Sequence, residues 1–117
     1  MRAYGLSLLP LALAAAFFIH VSAKEVNASS SKDREAGAVL FHERGCEYCH
    51  GVDGVGTEKA PDLSMIGKQW KRAQIEQQIR EGGNGMPAFG DVLEPAEKES
   101  LVNYLVAKRK RPSTHSR

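Results

Sequence analysis

The residues Cys46-Glu47-Tyr48-Cys49-His50 form the motif around which this 117-residue chain is organised. A C-x-x-C-H run is typical of a covalent attachment site for haem c. Two thiols separated by two residues on a tight turn can each add to one vinyl group of the same porphyrin. The adjacent imidazole then lies under the iron as an axial ligand. The motif therefore predicts that Cys46, Cys49 and His50 bind one haem c and its iron.

Three other kinds of site use a C-x-x-C spacing: a thioredoxin-like redox pair, half of a zinc site and a plain disulfide. Cys46 and Cys49 are the only cysteines, so one chain cannot supply four thiolates, and no closely spaced histidine pair follows to complete a mixed site. A thioredoxin-like pair needs strand-rich βαβ surroundings, whereas glycine-rich loop and then helix follow His50. Haem attachment is the favoured interpretation, and a redox disulfide is the main alternative.

The first 23 residues have the pattern of a cleaved signal peptide. Arg2 provides a charged start, residues 6–21 are almost wholly apolar, and Val21-Ser22-Ala23 is a small-residue cleavage site. The alternative is an uncleaved membrane anchor, but the apolar run is shorter than the ~20 residues of a usual spanning helix and contains a proline and a histidine. We therefore expect cleavage after Ala23 and a periplasmic or otherwise exported protein.

The mature chain is expected to form one small domain. We divide it into a polar linker over 24–31, the domain over 32–109 and a basic tail over 110–117. A domain of this size builds a marginal core unaided and usually needs an additional stabilising element. A haem would serve as the centre of that core, so we expect the chain without attached haem to be largely unfolded.

Charge is unevenly distributed along the mature chain. Residues 24–107 carry 10 basic and 14 acidic residues, whereas residues 108–117 carry five basic residues and no acid. The basic end favours either docking on an acidic partner or anionic lipid or an ordinary solvated helix end. Membrane contact is expected only through this tail or through an uncleaved N-terminal segment. Nucleic-acid binding is not expected of an exported chain.

Periodicity and capping signals predict three helices. A first helix is expected to begin at about Ser30 or Ser31 and to stop at Gly45. A second is expected over about 71–81, and a last one begins with Pro95 at its first position. Gly37 is a poor helix former in the middle of the first helix. Its position predicts that the last helix crosses the first one there.

Met86 is the favoured second ligand of the iron. It lies 36 residues after His50, in a loop of four glycines and a proline, and an apolar side chain in a loop usually points inward. A thioether is a soft donor that raises the haem potential. Met65 is the alternative ligand, and either methionine is also suited to filling core space. We expect the glycines before Met86 to be flexible and Pro87 after it to be rigid.

Two further residues are candidates for the surroundings of the haem. Pro61 offers a carbonyl that suits the Nδ1 proton of His50, although a simple turn proline is equally compatible with the spacing. Trp70 is the only tryptophan, and its indole N–H needs a partner if it is buried. A haem propionate would supply that partner, and the alternative is core packing with the N–H at the surface.

With these features placed, the chain resembles the class I family of small soluble monohaem cytochromes c. The matching segments are Gly37-x-x-Leu40-Phe41, Cys46-x-x-Cys49-His50-Gly51, Ala60-Pro61-Asp62-Leu63, Trp70, Met86-Pro87-Ala88-Phe89 and Leu101-x-x-Tyr104-Leu105. The resemblance implies an all-α cytochrome c fold of about three to four helices around one covalently bound haem, with the N- and C-terminal helices crossed. It also implies His50 and Met86 as the axial pair.

The function implied by this resemblance is single-electron transfer between redox partner proteins, without substrate chemistry or a catalytic residue. Two alternatives stay open. One is a haem-based sensor or ligand-binding protein in which the Met86 bond is weak or absent. The other is a dedicated electron-accepting subunit of a periplasmic dehydrogenase or oxidase.

Overall fold

The computed structural model describes residues 23–111, with side-chain surroundings from residue 30 onward. This part of the chain folds into helices α1 (Ala23–Glu43), α2 (Cys46–His50), α3 (Ile66–Gln69), α4 (Arg72–Glu81) and α5 (Pro95–Val106), with a 3-10 turn over Val52–Gly54. The predicted all-α class is confirmed. The three longer helices are the predicted ones, and α2 and α3 are additional short helices of five and four residues.

The first helix begins earlier than predicted. A start at Ser30 or Ser31 is wrong, because α1 extends back to Ala23 through the segment expected to be a linker. Serine and asparagine favour caps, but they cost only a few tenths of a kcal/mol inside a helix. Once a helix is nucleated further along, a segment without glycine or proline can extend it. At the other end, Gly45 has φ 76°, the left-handed conformation typical of a helix stop.

Helices α1 and α5 cross in close contact at Gly37. A Cβ atom at this position would lie 2.1 Å from the Ser100 carbonyl oxygen and 2.6 Å from the Tyr104 Cβ. One turn later, the Phe41 ring packs against the Tyr104 ring with their centroids 5.6 Å apart. The predicted crossing of the terminal helices near Gly37 and Phe41 is therefore confirmed.

A small apolar core lies where α1, α3, α4 and α5 meet. Leu101 and Val102 of α5 are its most deeply buried side chains. The buried apolar residues of the described chain are Phe41, Ile66, Ile75, Ile79, Leu93, Leu101, Val102 and Leu105. This core is small for the length of the domain, which agrees with the expectation that a cofactor contributes to its stability.

The N-terminus of α5 is capped as predicted and is also tied to α1. Glu94 is the N-cap with Pro95 at the first helical position, and the Glu97 carboxylate accepts a hydrogen bond of 3.0 Å from the Glu94 backbone N–H. Arg44, which follows α1, donates to the other oxygen of Glu97. This hydrogen bond from Arg44 is the main cause that lowers the pKa of the Glu97 carboxyl.

Replacing Arg44 by alanine is expected to reduce stability at neutral pH and to have no effect in acid. A carboxyl whose pKa is lower in the folded state stabilises the protein at pH values above the pKa of the unfolded state, which is about 4.3 for glutamate. This stabilisation disappears as the pH falls through the pKa of the folded state. Urea unfolding of the haem-loaded protein at neutral pH and below about pH 3 measures this difference. In a Glu97→Gln background, the effect of Arg44→Ala should not depend on pH. The same pH dependence in both backgrounds would contradict the assignment.

The chain after α5 packs back onto the domain before the predicted basic tail begins at residue 110. Helix α5 ends at Val106, and the backbone carbonyl of Lys108 accepts a hydrogen bond of 3.0 Å from the Gly67 N–H. The Lys108 ammonium lies 4.6 Å from the Tyr104 ring centroid and donates to the Asp53 carbonyl oxygen at 2.5 Å. Burial lowers the pKa of this ammonium. Lys108 is thus part of the domain, whereas residues 109–111 are exposed.

Two predicted segments fall largely outside the described residues. These are the signal peptide, of which only Ala23 is described, and residues 112–117 of the tail. Within residues 23–111, none of the helices combines the length and the apolar character needed to cross a bilayer.

Candidate haem-binding site

Helix α2 places both cysteines and the histidine of the motif on one short turn. Cys46, Cys49 and His50 are spaced three and four residues apart, which puts them on the same side of a helix. Both cysteines are half-buried and present as free thiols. Cys46 packs against the apolar core, and burial raises the pKa of its thiol. The two thiols therefore point from one rigid turn and are not joined to each other.

His50 is oriented by a contact from a distant loop. Its Nδ1 lies 3.0 Å from the Pro61 carbonyl oxygen, so an Nδ1–H tautomer donates to this oxygen and leaves Nε2 with a free lone pair. The ring centroid is 6.5 Å from that of the buried Phe41. The contact expected between His50 and Pro61 is present, and this is the usual way of fixing a ligating imidazole.

The loop before Met86 is a tight turn, which differs from the flexible segment predicted from its glycines. Gly83 and Met86 exchange two backbone hydrogen bonds of 2.9 and 3.0 Å. The residues between them, Asn84 and Gly85, have φ values of 53° and 87°. A type I′ turn requires positive φ at both central residues, and Asn-Gly is its preferred dipeptide. The Asn-Gly dipeptide was present in the sequence, and it indicates a fixed turn.

Contacts on both sides fix the Met86 segment against α4. After Met86, the Phe89 N–H donates to the Ile79 carbonyl oxygen at 2.9 Å, and the Gly90 N–H donates to the Arg80 carbonyl oxygen at 3.1 Å. The half-buried Met86 side chain packs against the apolar core. Met65, the alternative ligand, is half-buried immediately before α3. The structure thus brings Met86 to the core that Cys46 also contacts.

Trp70 lies at the edge of an open cleft beside α4. The cleft has a volume of about 230 Å³, and 40% of the Trp70 surface is exposed. The cleft is lined by Trp70, Gln74, Gln77, Gln78, Glu81 and Gly82. Trp70 is therefore outside the buried core, two residues before the start of α4.

Gln78 is a residue of this site that the sequence analysis did not single out. Its amide Nε2 lies 3.7 Å from the Met86 sulfur and 3.1 Å from the Gly82 carbonyl oxygen. Gln74, Gln77 and Gln78 are the same residue type on the same helix, so no pattern in the sequence distinguishes the one that reaches the methionine.

The donor set of this site fits haem c. The two thiols are unpaired with each other on one turn, one imidazole nitrogen is free, and one thioether packs on the same core. Thioether links to the porphyrin and a histidine–methionine pair at the iron need these four groups. Within the part of the chain that the structure describes, no cluster of three or more histidine, cysteine or carboxylate side chains forms another metal site.

Comparison with known proteins assigns the family. A family model described as "Cytochrome C oxidase, cbb3-type, subunit III" matches residues 32–105. The chain belongs to the cytochrome c family, whose cofactor is a covalently bound haem c with its iron. The fold described above is accordingly the all-α cytochrome c fold.

Curated relatives of three kinds resemble the chain. Cytochrome c6 of Gracilaria tenuistipitata var. liui is 31% identical over 99 residues, which are 80% of this chain and 91% of that protein. Cytochrome c-550 of Bacillus subtilis (strain 168) is 33% identical over 89 residues, 76% of this chain and 71% of that protein. The cbb3-type cytochrome c oxidase subunit FixP of Sinorhizobium medicae (strain WSM419) is 31% identical over 90 residues, 67% of this chain but only 31% of that subunit.

Proposed function

We propose that this protein is an exported single-electron carrier. Its haem c is attached through Cys46 and Cys49, and its iron is held by His50 and Met86. The observation that carries this proposal is the hydrogen bond between His50 Nδ1 and the Pro61 carbonyl at 3.0 Å. This hydrogen bond leaves only Nε2 of His50 for a metal, and His50 lies on the same turn as two free thiols.

The fixed position of Met86 supports a carrier rather than a sensor. When bound, the haem iron supplies one-electron chemistry between Fe(II) and Fe(III). The Asn84-Gly85 turn and the contacts of Phe89 hold the Met86 segment in place. A thioether held in this way would be available to the iron in both oxidation states, so little of the surrounding structure would need to change with each electron. A sensor would need this ligand to leave easily.

The Met86→Ala variant tests the axial pair directly. The exported haem-loaded wild type is expected to show a low-spin six-coordinate visible spectrum with a methionine–iron charge-transfer band in the oxidised form. Met86→Ala should lose that band and become high-spin. Met65→Ala is the matched control and should keep both features. A band that survives Met86→Ala and disappears in Met65→Ala would transfer the ligand role to Met65, and a high-spin wild type would favour the ligand-binding class.

Two surrounding residues complete the proposal. Pro61 orients His50, and Trp70 donates its indole N–H to a haem propionate. Trp70 lies at the border of the α4 cleft, and 40% of its surface is exposed. This position supports a polar partner for the indole N–H over burial of the ring in the core. Cleavage after Ala23 and export to the periplasm complete the proposed location, because thioether formation takes place outside the cytoplasm.

A second candidate function is the electron-accepting subunit of an oxidase. The matching family model and the FixP relative both carry the name of a cbb3-type oxidase subunit. The exposed basic residues 109–111 are compatible with a salt-sensitive complex. Co-purification from solubilised membranes at low salt, lost at high salt, would support the subunit. Recovery of the protein free of any complex at both salt concentrations would support the carrier.

A further inference from the structure

The segment from Gly56 to Pro61 returns across the C-terminal end of α2 and contacts it at several points. The Gly56 N–H donates to the His50 carbonyl oxygen at 2.6 Å, and the Thr57 hydroxyl donates to the Cys49 carbonyl oxygen. The Pro61 carbonyl oxygen lies 3.0 Å from His50 Nδ1. The backbone and the ring of His50 are therefore held by one short segment.

The Thr57 side chain joins α2 to the turn that leads to Pro61. A hydroxyl carries one donor and two acceptor lone pairs. Besides donating to Cys49, Thr57 Oγ1 accepts a hydrogen bond of 3.0 Å from the Lys59 N–H. The Thr57 N–H donates to the Ala60 carbonyl oxygen at 3.0 Å. The last two hydrogen bonds close a turn immediately before Pro61, and the hydroxyl fixes this turn to a carbonyl at the end of α2.

We propose that Thr57 is the positioning residue that directs the Pro61 carbonyl at His50 and thereby sets how strongly this imidazole donates to the iron. The inference rests on the proposed ligation by His50. Pro61 lies in a loop without regular structure, so its carbonyl is a fixed acceptor only when the turn before it is fixed. A hydrogen-bond acceptor on Nδ1–H raises the basicity of a ligating imidazole. A more basic ligand favours Fe(III), so a well-placed carbonyl lowers the reduction potential.

The hydroxyl group, rather than the bulk of Thr57, is what this role requires. Thr57 is exposed, so its side chain fills no space in the core. Thr57→Val keeps the shape and removes the hydroxyl, Thr57→Ala removes both, and Thr57→Ser keeps the hydroxyl. Val55→Thr is the matched control, because it makes the reverse exchange in the same loop at a side chain that is 46% exposed.

The reduction potential of the haem-loaded protein tests the inference. Loss of the hydroxyl is expected to shift the equilibrium between the two oxidation states about threefold toward Fe(II), a rise of roughly 30 mV. Thr57→Val and Thr57→Ala should share this rise, whereas Thr57→Ser and Val55→Thr should match wild type. A wild-type potential in Thr57→Val, or an equal rise in Thr57→Ser or Val55→Thr, would overturn the inference.

Hydrogen exchange of the His50 ring N–H in the reduced protein separates positioning from a loss of overall stability. The Nδ1–H should exchange about fivefold faster in Thr57→Val than in wild type, because the turn that places its acceptor opens more often. The backbone amides of the buried Leu101 and Val102 should keep their wild-type rates. If these amides were accelerated to the same extent, the effect would be general destabilisation and the inference would be wrong.

The proton spectrum of the reduced wild type separates failure of this inference from failure of the ligand assignment. The porphyrin ring current shifts the ring protons of an iron-bound histidine strongly upfield. If the His50 ring shows this shift while Thr57→Val has the potential and exchange rate of wild type, His50 is a ligand and Thr57 does not position it. If the His50 ring protons have ordinary shifts, His50 is not on the iron and both statements are wrong.

Discussion

A variant in which Cys46 and Cys49 are both alanine is expected to lack covalent haem and to show no cooperative thermal transition. The described part of the chain has eight buried apolar residues and no disulfide, since both thiols are free. Domains of this size bury a small fraction of their surface and are marginal without an additional stabilising element. We expect the haem to be that element in this chain, with the half-buried Cys46 and Met86 packed against it.

Haem staining after denaturing electrophoresis and circular dichroism during heating measure the two parts of this prediction. Tyr48→Ala is the matched control, because Tyr48 lies between the cysteines and is 72% exposed. We expect it to retain the haem and a cooperative transition. A double alanine variant that unfolds cooperatively without haem would show that the apolar core alone stabilises the domain.

Features set by neighbouring residues were predictable from the sequence. The C-x-x-C-H motif, the stop at Gly45 and the capped start at Pro95 each depend on a few consecutive residues with a defined backbone requirement. The crossing at Gly37 was predictable for a related reason: glycine disfavours a helix, and the close approach of another helix is one reason for its presence there.

The structural features that were predicted wrongly or missed depend on competition between weak local preferences or on contacts between residues that are distant in the sequence. The start of α1 follows from extension of a helix already formed, and it outweighs the capping preference of Ser30 and Ser31. The glycines before Met86 were interpreted as flexible, although Asn84-Gly85 specifies a tight turn. The contact between Gln78 and Met86 depends on where α4 ends relative to that turn, which no local pattern determines.

Replacing Gly37 by alanine is expected to destabilise the haem-loaded protein by about 2 kcal/mol, although alanine is the better helix former. Taken alone, the change should add about 1 kcal/mol to the stability of α1. However, the new Cβ would lie 2.1 Å from the Ser100 carbonyl oxygen. A backbone atom cannot avoid the clash by changing rotamer, so α1 and α5 must separate, and overpacking of this kind costs typically 1–3 kcal/mol and occasionally more.

The sign of the stability change in Gly37→Ala distinguishes a packing role of Gly37 from simple flexibility of the helix. Ala36→Gly provides the matched comparison. Ala36 is the neighbouring, exposed residue of α1, and its replacement by glycine should cost about 1 kcal/mol through helix propensity alone. Guanidinium unfolding of both variants measures the two values. Stabilisation by Gly37→Ala would mean that α1 and α5 do not meet at Gly37. The ring centroids of Phe41 and Tyr104 are 5.6 Å apart, and separating α1 from α5 also opens this contact. The loss of stability in Gly37→Ala should therefore be accompanied by a changed environment of the Tyr104 ring.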